Sequence, residues 1–545
     1  MRQNIGKPLV AVLLFITFIY ACLPLFTVNC INGHDIEYHL LRIESLKAGI
    51  EAGLPFLRVN LLFFGGEGYA SSLFYPDFLL YFPAVLRAMG LSINLSFHLF
   101  VALSIALGMA TSYICMRYIS GDSFSALLCS VIFTLCQYHL DDIYIRSAVG
   151  EYTAYIFMPL LLAGCYDLIF RDFRKPWLFG AGMAGVLLCH TLSTVFCTLI
   201  CAFSLLLALP SIKRKPKTMI IIMATAALTL AATAFYWIPM LEQVINSRFQ
   251  YGDSIFDLNY EKLLLREVFR NKLPGLGLPL LLLQLPGLFV QGQLKQKFLV
   301  IFADFCAAAG LLFALCSTGF FPWARLGRFL SFIQFPWRLF LISSVLLSFS
   351  GAIFIAEWLK ERTAFAAECA LITVMGLMLI AAQFNFDGNN EGYYSYSDDY
   401  FRYEPYTETV IGGEWLPQGV KDRGKLGKKA DTAYTDKGEI EVSRQGNRIN
   451  VENLKGSEAY IDLPFIYYLG YGAFEAESGR RLKADGTGEN GRLRVYPEGA
   501  KALTAYYTGT ALQAFANMLS IAASLFILVV FLWKIHSRGT TKELQ

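Results

Sequence analysis

Directly after the first long apolar run, residues 32–60 place His34, Asp35, Glu37, His39, Arg42 and Glu44 within about three helical turns. Charged groups at the mouth of a membrane helix are costly unless they bind something, so this stretch is the first place to look for chemistry. Asp35 could take a proton from an acceptor hydroxyl or help hold a divalent cation. It could equally cap a helix starting near Ile36. His39 follows four residues later on the same helical face and would line the same site beside Arg42.

Three further groups carry suitable residue types. In His139-Leu-Asp-Asp-Ile-Tyr-Ile-Arg-Ser-Ala-Val-Gly-Glu151, Asp141 and Asp142 offer hard oxygen ligands and His139 an imidazole, at a spacing that fits no specific metal motif. Arg146 has the fork suited to bidentate phosphate contact, and it could also pair with Glu151. His190 sits between two apolar runs, and Gln334 and Arg338 fall in Ile-Gln-Phe-Pro-Trp-Arg. Arg338 could snorkel to the interface or clamp a lipid phosphate beneath Trp337. The candidate set is Asp35 and His39 for catalysis, with His34, Arg42, Arg146, Glu151, His190, Gln334 and Arg338 for substrate. Asp35, Asp141 and Asp142 are the candidate ligands for Mg or Mn. Walker and Gly-x-Gly-x-x-Gly motifs are absent, so no nucleotide cofactor is expected.

These residues must be positioned by a membrane scaffold. Of 545 residues, 55% are hydrophobic and 16% charged, against roughly 25% charged in soluble domains. A net charge of +4 is too small to suggest a nucleic-acid partner. The 12 cysteines lie in or beside apolar segments and form no Cys-x-x-Cys pair, so they read as buried thiols. The N-terminal run is long and lacks a small-residue cleavage site, which favours an uncleaved first helix.

Apolar runs near 8–28, 94–116, 122–138, 152–170, 176–191, 193–210, 218–238, 275–292, 298–317, 337–358, 363–383 and 510–533 suggest about twelve spans. With a cytoplasmic N-terminus, Arg117, Arg171, Arg174, Lys175, Lys213–Lys217, Lys295, Lys297, Lys360, Arg362, Lys534 and Arg538 all fall inside. The acids, imidazoles and other arginines named above fall outside. The stretch 73–90, with two prolines, an Asp and an Arg, reads as an interfacial helix within an outer loop 29–93. The polar segment 384–505 opens with tyrosines between Tyr393 and Tyr406 and then alternates in strand fashion. The expected architecture is a polytopic all-α transmembrane domain (1–383), an extracytoplasmic β-sandwich-like domain (384–505), and a final helix with a short cytoplasmic tail (506–545).

A first span, an outer loop opening with an Asp, interfacial helices and many further spans resemble the GT-C superfamily of membrane glycosyltransferases. The runs Gly33-His-Asp-Ile-Glu-Tyr-His-Leu-Leu-Arg-Ile, Phe74-Tyr-Pro-Asp, Arg146-Ser-Ala-Val-Gly-Glu151, His190-Thr-Leu and Gln334-Phe-Pro-Trp-Arg338 are similar to a narrower group. These are bacterial membrane proteins labelled 6-pyruvoyl-tetrahydropterin synthase-related, near YfhO-type proteins. The residues themselves show no His-rich zinc triad of a soluble synthase. GT-C resemblance implies a bacterial plasma-membrane enzyme with an outward active site. It would make an inverting transfer from a polyprenyl-phosphate-linked sugar to a lipid, glycan or cell-wall acceptor. The loop carboxylate, as base or metal ligand, would be Asp35. Many members carry a second acid in that loop; Glu37 and Glu44 are near but do not match clearly. A non-enzymatic assembly partner for envelope polysaccharide, or a lipid or polysaccharide transporter, are the alternatives. The first predicts that the outer domain matters and Asp35 does not; the second predicts charges at midplane.

Overall fold

The computed structural model describes residues 6–54, 56–250, 257–290, 297–388, 392–397, 400 and 413–543. The later part of the tyrosine-rich stretch, including Tyr403 and Tyr406, lies outside these residues. The chain forms two compact units. One comprises Met1–Ile36, Ser92–Ala226 and Ile255–Tyr396, and the other Glu37–Leu91, Ala227–Ser254 and Ser397–Gln545. The division expected at 384 from composition differs, because residues 37–91 and 227–254 pack with the C-terminal part of the chain.

Among the described residues six helices are long and apolar enough to cross a membrane. They are Ile93–Ser120, Thr191–Arg214, Lys297–Cys316, Pro336–Trp358, Ala364–Asp387 and Ala511–His536. Three bent pairs bring the number up to nine if each pair is one span: Ser123–Leu135 with Gln137–Tyr144, Val149–Tyr155 with Met158–Phe170, and Lys217–Ala232 with Ala234–Asn246. The apolar runs at Lys7–Ala21, Pro176–Leu187 and Leu278–Phe289 form shorter helices, of 10–17 residues. A helix of 15 residues rises about 22 Å, less than the roughly 30 Å hydrocarbon layer. These short and broken helices separate the structural tally from the expected twelve.

In the first unit, Ser92 caps the helix Ile93–Ser120 by accepting from Leu95 N–H, and Gly121 at φ 71° ends it. The helix starting at Pro336 is the core of this unit and is almost wholly buried. It tolerates Ser343, Ser344, Ser348 and Ser350 in that environment because each hydroxyl donates to a carbonyl one turn earlier. The unit has two chemically different ends. At one, Arg171 lies over the rings of Tyr118 (4.6 Å) and Tyr166 (4.9 Å), Lys175 lies over Tyr118, and Lys215 pairs with Asp172 at 2.6 Å. The other end gathers Asp35, Arg146, Glu151, His190 and Arg338. Strand β1 (Cys30–Ile31) pairs antiparallel with β2 (Tyr393–Tyr394) within the same unit.

In the second unit the apolar stretch expected as one interfacial helix is broken into a turn at Ser71–Phe74 and short helices at Phe78–Leu80 and Tyr81–Ala88. Pro76 interrupts it, since a proline supplies no N–H and bars helix in the preceding residue. The β part runs β3 (Thr432–Thr435), β4 (Gly438–Glu441), β5 (Ser443–Gln445), β6 (Arg448–Val451), β7 (Ile461–Ile466), β8 (Tyr471–Glu475), β9 (Arg481–Asp485), β10 (Arg492–Tyr496) and β11 (Leu503–Tyr507). They form one nine-stranded sheet in the order β4-β3-β7-β10-β9-β8-β11-β6-β5, not two separate sheets. Strand β9 joins the halves. Its residues Arg481 and Leu482 pair with β8, while Lys483, Ala484 and Asp485 pair with β10. The buried core includes every residue of β7 together with Leu493, Val495, Leu503 and Ala505.

The last helix is fastened to the bend at Thr233. The bend is 73°, and the Ser520 hydroxyl serves both broken ends: it accepts from Phe235 N–H (2.8 Å) and donates to Ala231 carbonyl (3.0 Å). The Phe235 carbonyl, which would bond residue 239 in a regular helix, faces Pro239 and instead accepts from Arg58 Nη2 at 2.7 Å.

Candidate functional site

The site at the polar end of the first unit is assembled by the backbone before any side chain matters. Residues 33–35 run alongside 145–147: His34 N–H donates to Ile145 O and Asp35 N–H to Arg146 O, both 2.9 Å. Gly33 makes this approach possible, because a Cβ there would meet Ser147 Oγ at 2.1 Å. Ser147 itself sits at φ 50°. Gln334, at φ 62°, is a second non-glycine residue held in the left-handed region beside this site. Such strain persists only where the surroundings impose it, and it concentrates at functional positions.

Glu151 is the hub. Arg146 donates to it through Nη1 and Nη2, both at 2.8 Å, Tyr138 Oη donates at 3.1 Å, and Arg338 Nε approaches Oε1 at 3.3 Å. Arg146 also pairs with Asp142 at 2.5 Å and lies 4.7 Å over the Trp337 ring. Arg146, Asp142 and Glu151 are all buried. A guanidinium locked between two carboxylates and an aromatic face acts as a scaffold. Arg338 is different. It is partly exposed, its Nη1 donates to Ile333 O and Gln334 Oε1, and Nη2 has no hydrogen-bond acceptor among the described residues. It is the guanidinium available to an anion.

Asp35 is half-buried, and its carboxylate makes no hydrogen bond among the described residues; the helix-capping role is not seen. Burial pushes its carboxyl above the ordinary carboxylate range, while Arg146 and Arg338 pull it back. His34 beside it is exposed. His190 caps the helix Thr191–Arg214: Ser193 N–H donates to its Nδ1 at 3.4 Å, leaving Nε2 to carry the proton. It feels the charges of Glu151, Arg338 and Arg146.

Arg42 and His39 belong to the second unit, in a buried cluster. Arg42 donates through Nη1 to His39 Nδ1 (3.2 Å) and through Nη2 to the carbonyls of Tyr75 (3.1 Å) and Pro76 (2.9 Å), and it pairs with Asp77. With its donors spent and its side chain inaccessible, Arg42 pins segment 75–77 and does not await a phosphate. His39, 1% exposed, is likewise a packing residue here and not an accessible base. Glu44, the possible second acid, is paired with Arg87 in the same unit.

The metal set Asp35, Asp141 and Asp142 does not fit its purpose. Asp142 is tied to Arg146, and Asp141 accepts from Gln137 Nε2 (3.0 and 3.1 Å) and Asn385 Nδ2 (2.7 Å). His139 Nδ1 must donate to Thr134 O (3.1 Å), and its ring stacks on Tyr155 at 4.4 Å. Among the described residues no three His, Cys, Asp or Glu side chains are grouped to hold a metal. Sequence reasoning missed Tyr138 as a site residue. Its position three residues before Asp141 on a short helix gave the only signal.

An uncharacterized protein of Lactococcus lactis subsp. cremoris is 22% identical over 96% of this chain and 94% of its own length. Among solved structures, arabinofuranosyltransferase AftD from Mycobacteria aligns at TM-score 0.46 with 15% identity, over 71% of this chain. This chain spans only 28% of AftD. The archaeal oligosaccharyltransferase AglB from Archaeoglobus fulgidus aligns at 0.40 with 11% identity, over 72% of this chain and 57% of its own. Residues 73–388, more than half of the chain, match the family model described as 6-pyruvoyl-tetrahydropterin synthase related domain, membrane protein. This polytopic protein therefore belongs to that family of membrane proteins.

Proposed function

We propose that the chain is a GT-C-like glycosyltransferase of the bacterial plasma membrane, acting on the outer face. It would move a sugar from a polyprenyl-phosphate donor to a lipid, glycan or cell-wall acceptor. The observation that carries this reading is the Asp35 carboxylate, half-buried, without a hydrogen-bond partner among the described residues, in the field of Arg146 and Arg338. A carboxylate of raised pKa is matched to proton abstraction near neutral pH. Asp35 takes the acceptor hydroxyl proton as that oxygen bonds to the anomeric carbon. The bond from that carbon to the phosphate oxygen breaks, and the electron pair leaves on the phosphate, whose charge Arg338 Nη2 meets. Attack opposite the leaving group inverts the anomeric centre. Glu151, Arg146 and Trp337 hold Arg338 and the 33–35 segment in place.

The side of the membrane is supported by the same unit: basic residues 171, 175 and 215 gather at the end away from Asp35. Both termini would then be cytoplasmic and residues 384–505 extracytoplasmic. The test uses purified protein in lipid with radiolabelled polyprenyl-phosphate sugars, comparing wild type with Asp35→Asn. Transfer or slow donor hydrolysis by wild type alone supports the reading. Equal signal in both proteins removes Asp35 from the chemistry, and no turnover or binding with any donor favours the assembly-partner alternative.

A further inference from the structure

The helix Lys297–Cys316 starts at the basic end of the first unit, where Phe298 packs on Phe170 at 5.3 Å, next to Arg171. Its 20 residues rise about 30 Å, the thickness of the hydrocarbon layer. Cys316 therefore lies at the other end, with Arg338, and residues 317–335 join two spanning helices at a membrane surface. The helix Trp323–Leu330 in this connection has three faces. Trp323 and Gly327 face the protein: Trp323 is buried, its Nε1 donates to Cys316 O at 3.0 Å, and a Cβ on Gly327 would meet Leu258 Cβ at 3.7 Å. Leu326 and Phe329, one turn apart, are exposed, Phe329 at 77%. Arg325 and Arg328, also one turn apart, are exposed and make no ion pair among the described residues. Backbone bonds hold a second segment against this connection. Leu263 N–H donates to Ser317 O and Gly319 N–H to Leu263 O, both at 3.1 Å. That segment adds Tyr260, 86% exposed, and the exposed cations Lys262 and Arg266. Across 257–272 and 317–335 six Lys or Arg stand against three Asp or Glu, and of these acids Glu267 is spent on Arg270 at 3.1 Å. Topology accounts for cations at one end of a polytopic unit, and Arg171, Lys175 and Lys215 already fill that role at the opposite end. The cations beside Arg338 need another account.

We infer that the helix Trp323–Leu330, with the segment 260–266 beside it, is a docking surface for anionic phospholipid headgroups. Unpaired guanidiniums next to exposed apolar side chains on one short helix, where two spans end, carry this reading. Leu326 and Phe329 enter the boundary of the acyl chains while Arg325 and Arg328 stay at the level of the phosphates. A zwitterionic headgroup sets an ammonium beside its phosphate. An anionic headgroup leaves the phosphate charge uncompensated, which complements the surplus of cations here. Free phosphate would meet the arginines but would leave Leu326 and Phe329 in water. Lipid held at this helix steadies the chain that leads into the candidate active site. Gln334 N–H donates to Ser331 O at 3.0 Å, and Ile333 O accepts from Arg338 Nη1 at 3.3 Å. Lipid binding here is independent of sugar transfer and is tested without it.

The experiment reads amide hydrogen exchange by mass spectrometry on the full chain, at fixed ionic strength, in nanodiscs of phosphatidylcholine or of an equal mixture with phosphatidylglycerol. Peptides covering 323–330 should exchange about 10-fold more slowly in the mixture, since each cation near an anionic surface adds to the attraction. Arg325→Gln/Arg328→Gln should abolish that difference, while exchange in the buried helix Phe340–Trp358 stays as in wild type and reports an intact fold. Lys262→Gln/Arg266→Gln should reduce the difference and carries the test if the first variant does not fold. Equal exchange of wild type in the two lipids overturns the inference. So does either variant that keeps the full difference. The same slowing produced by inorganic phosphate in phosphatidylcholine alone would identify a soluble anion as the ligand and also overturn it.

Discussion

Asp35 and Glu151 are both acids at one end of the first unit, yet they should fail in opposite ways. Glu151 neutralises a buried guanidinium, so Glu151→Gln strands Arg146 with Asp142 alone. Breaking a buried pair costs about 3–5 kcal/mol, and the unfolding midpoint should drop accordingly. Asp35 neutralises nothing directly, so Asp35→Asn should leave the midpoint near wild type while lowering sugar transfer by about 10²–10⁴-fold. The pH dependence follows from sign. Asp35 works as a base only when ionised, and burial raises its pKa. The rate should therefore fall toward acid pH with a midpoint above the value near 3.9 of an exposed aspartate. An acid limb at that ordinary value would remove burial from the account. Residue type and spacing singled out Asp35, Arg146, Glu151 and Arg338, which the structure brings to one end of the first unit. That Arg42 is already engaged was not legible, because its partner, Asp77, lies 35 residues away in a stretch read as apolar.

At the scale of elements, runs of apolar residues marked the long helices, and strand-like alternation marked the segment that holds β3–β11. Strands β5 and β9 were not legible, because Ser443–Gln445 is short and polar and β9 changes partner midway. Hydropathy also does not show the break at Thr233, since residues either side of it are equally apolar. At the bend at Thr233 one hydroxyl serves both a donor and an acceptor. Ser520→Ala leaves the Phe235 N–H and Ala231 carbonyl without that partner, a loss of about 1–3 kcal/mol for an unsatisfied buried group. Differential scanning calorimetry in lipid should show the lowered midpoint, and Ser520→Thr should restore most of it.

For the whole molecule, the distribution of charge makes a topological statement that can be read in cells. A His34→Cys chain should react with a membrane-impermeant maleimide applied outside, and a Lys213→Cys chain should react only after permeabilisation. The reverse pattern would turn the candidate active site toward the cytoplasm and remove the lipid-linked donor from the proposal. The hydroxyl at Ser520 has a consequence in time as well as space. Its partner Phe235 is synthesised 285 residues earlier; at 5–20 residues per second the ribosome takes roughly 15–60 s to reach Ser520. Throughout that interval the bend's Phe235 N–H and Ala231 carbonyl lack the Ser520 hydroxyl. The final helix thus completes a structure begun mid-chain, and a chain that stops before Ser520 leaves the bend without the hydroxyl that closes it.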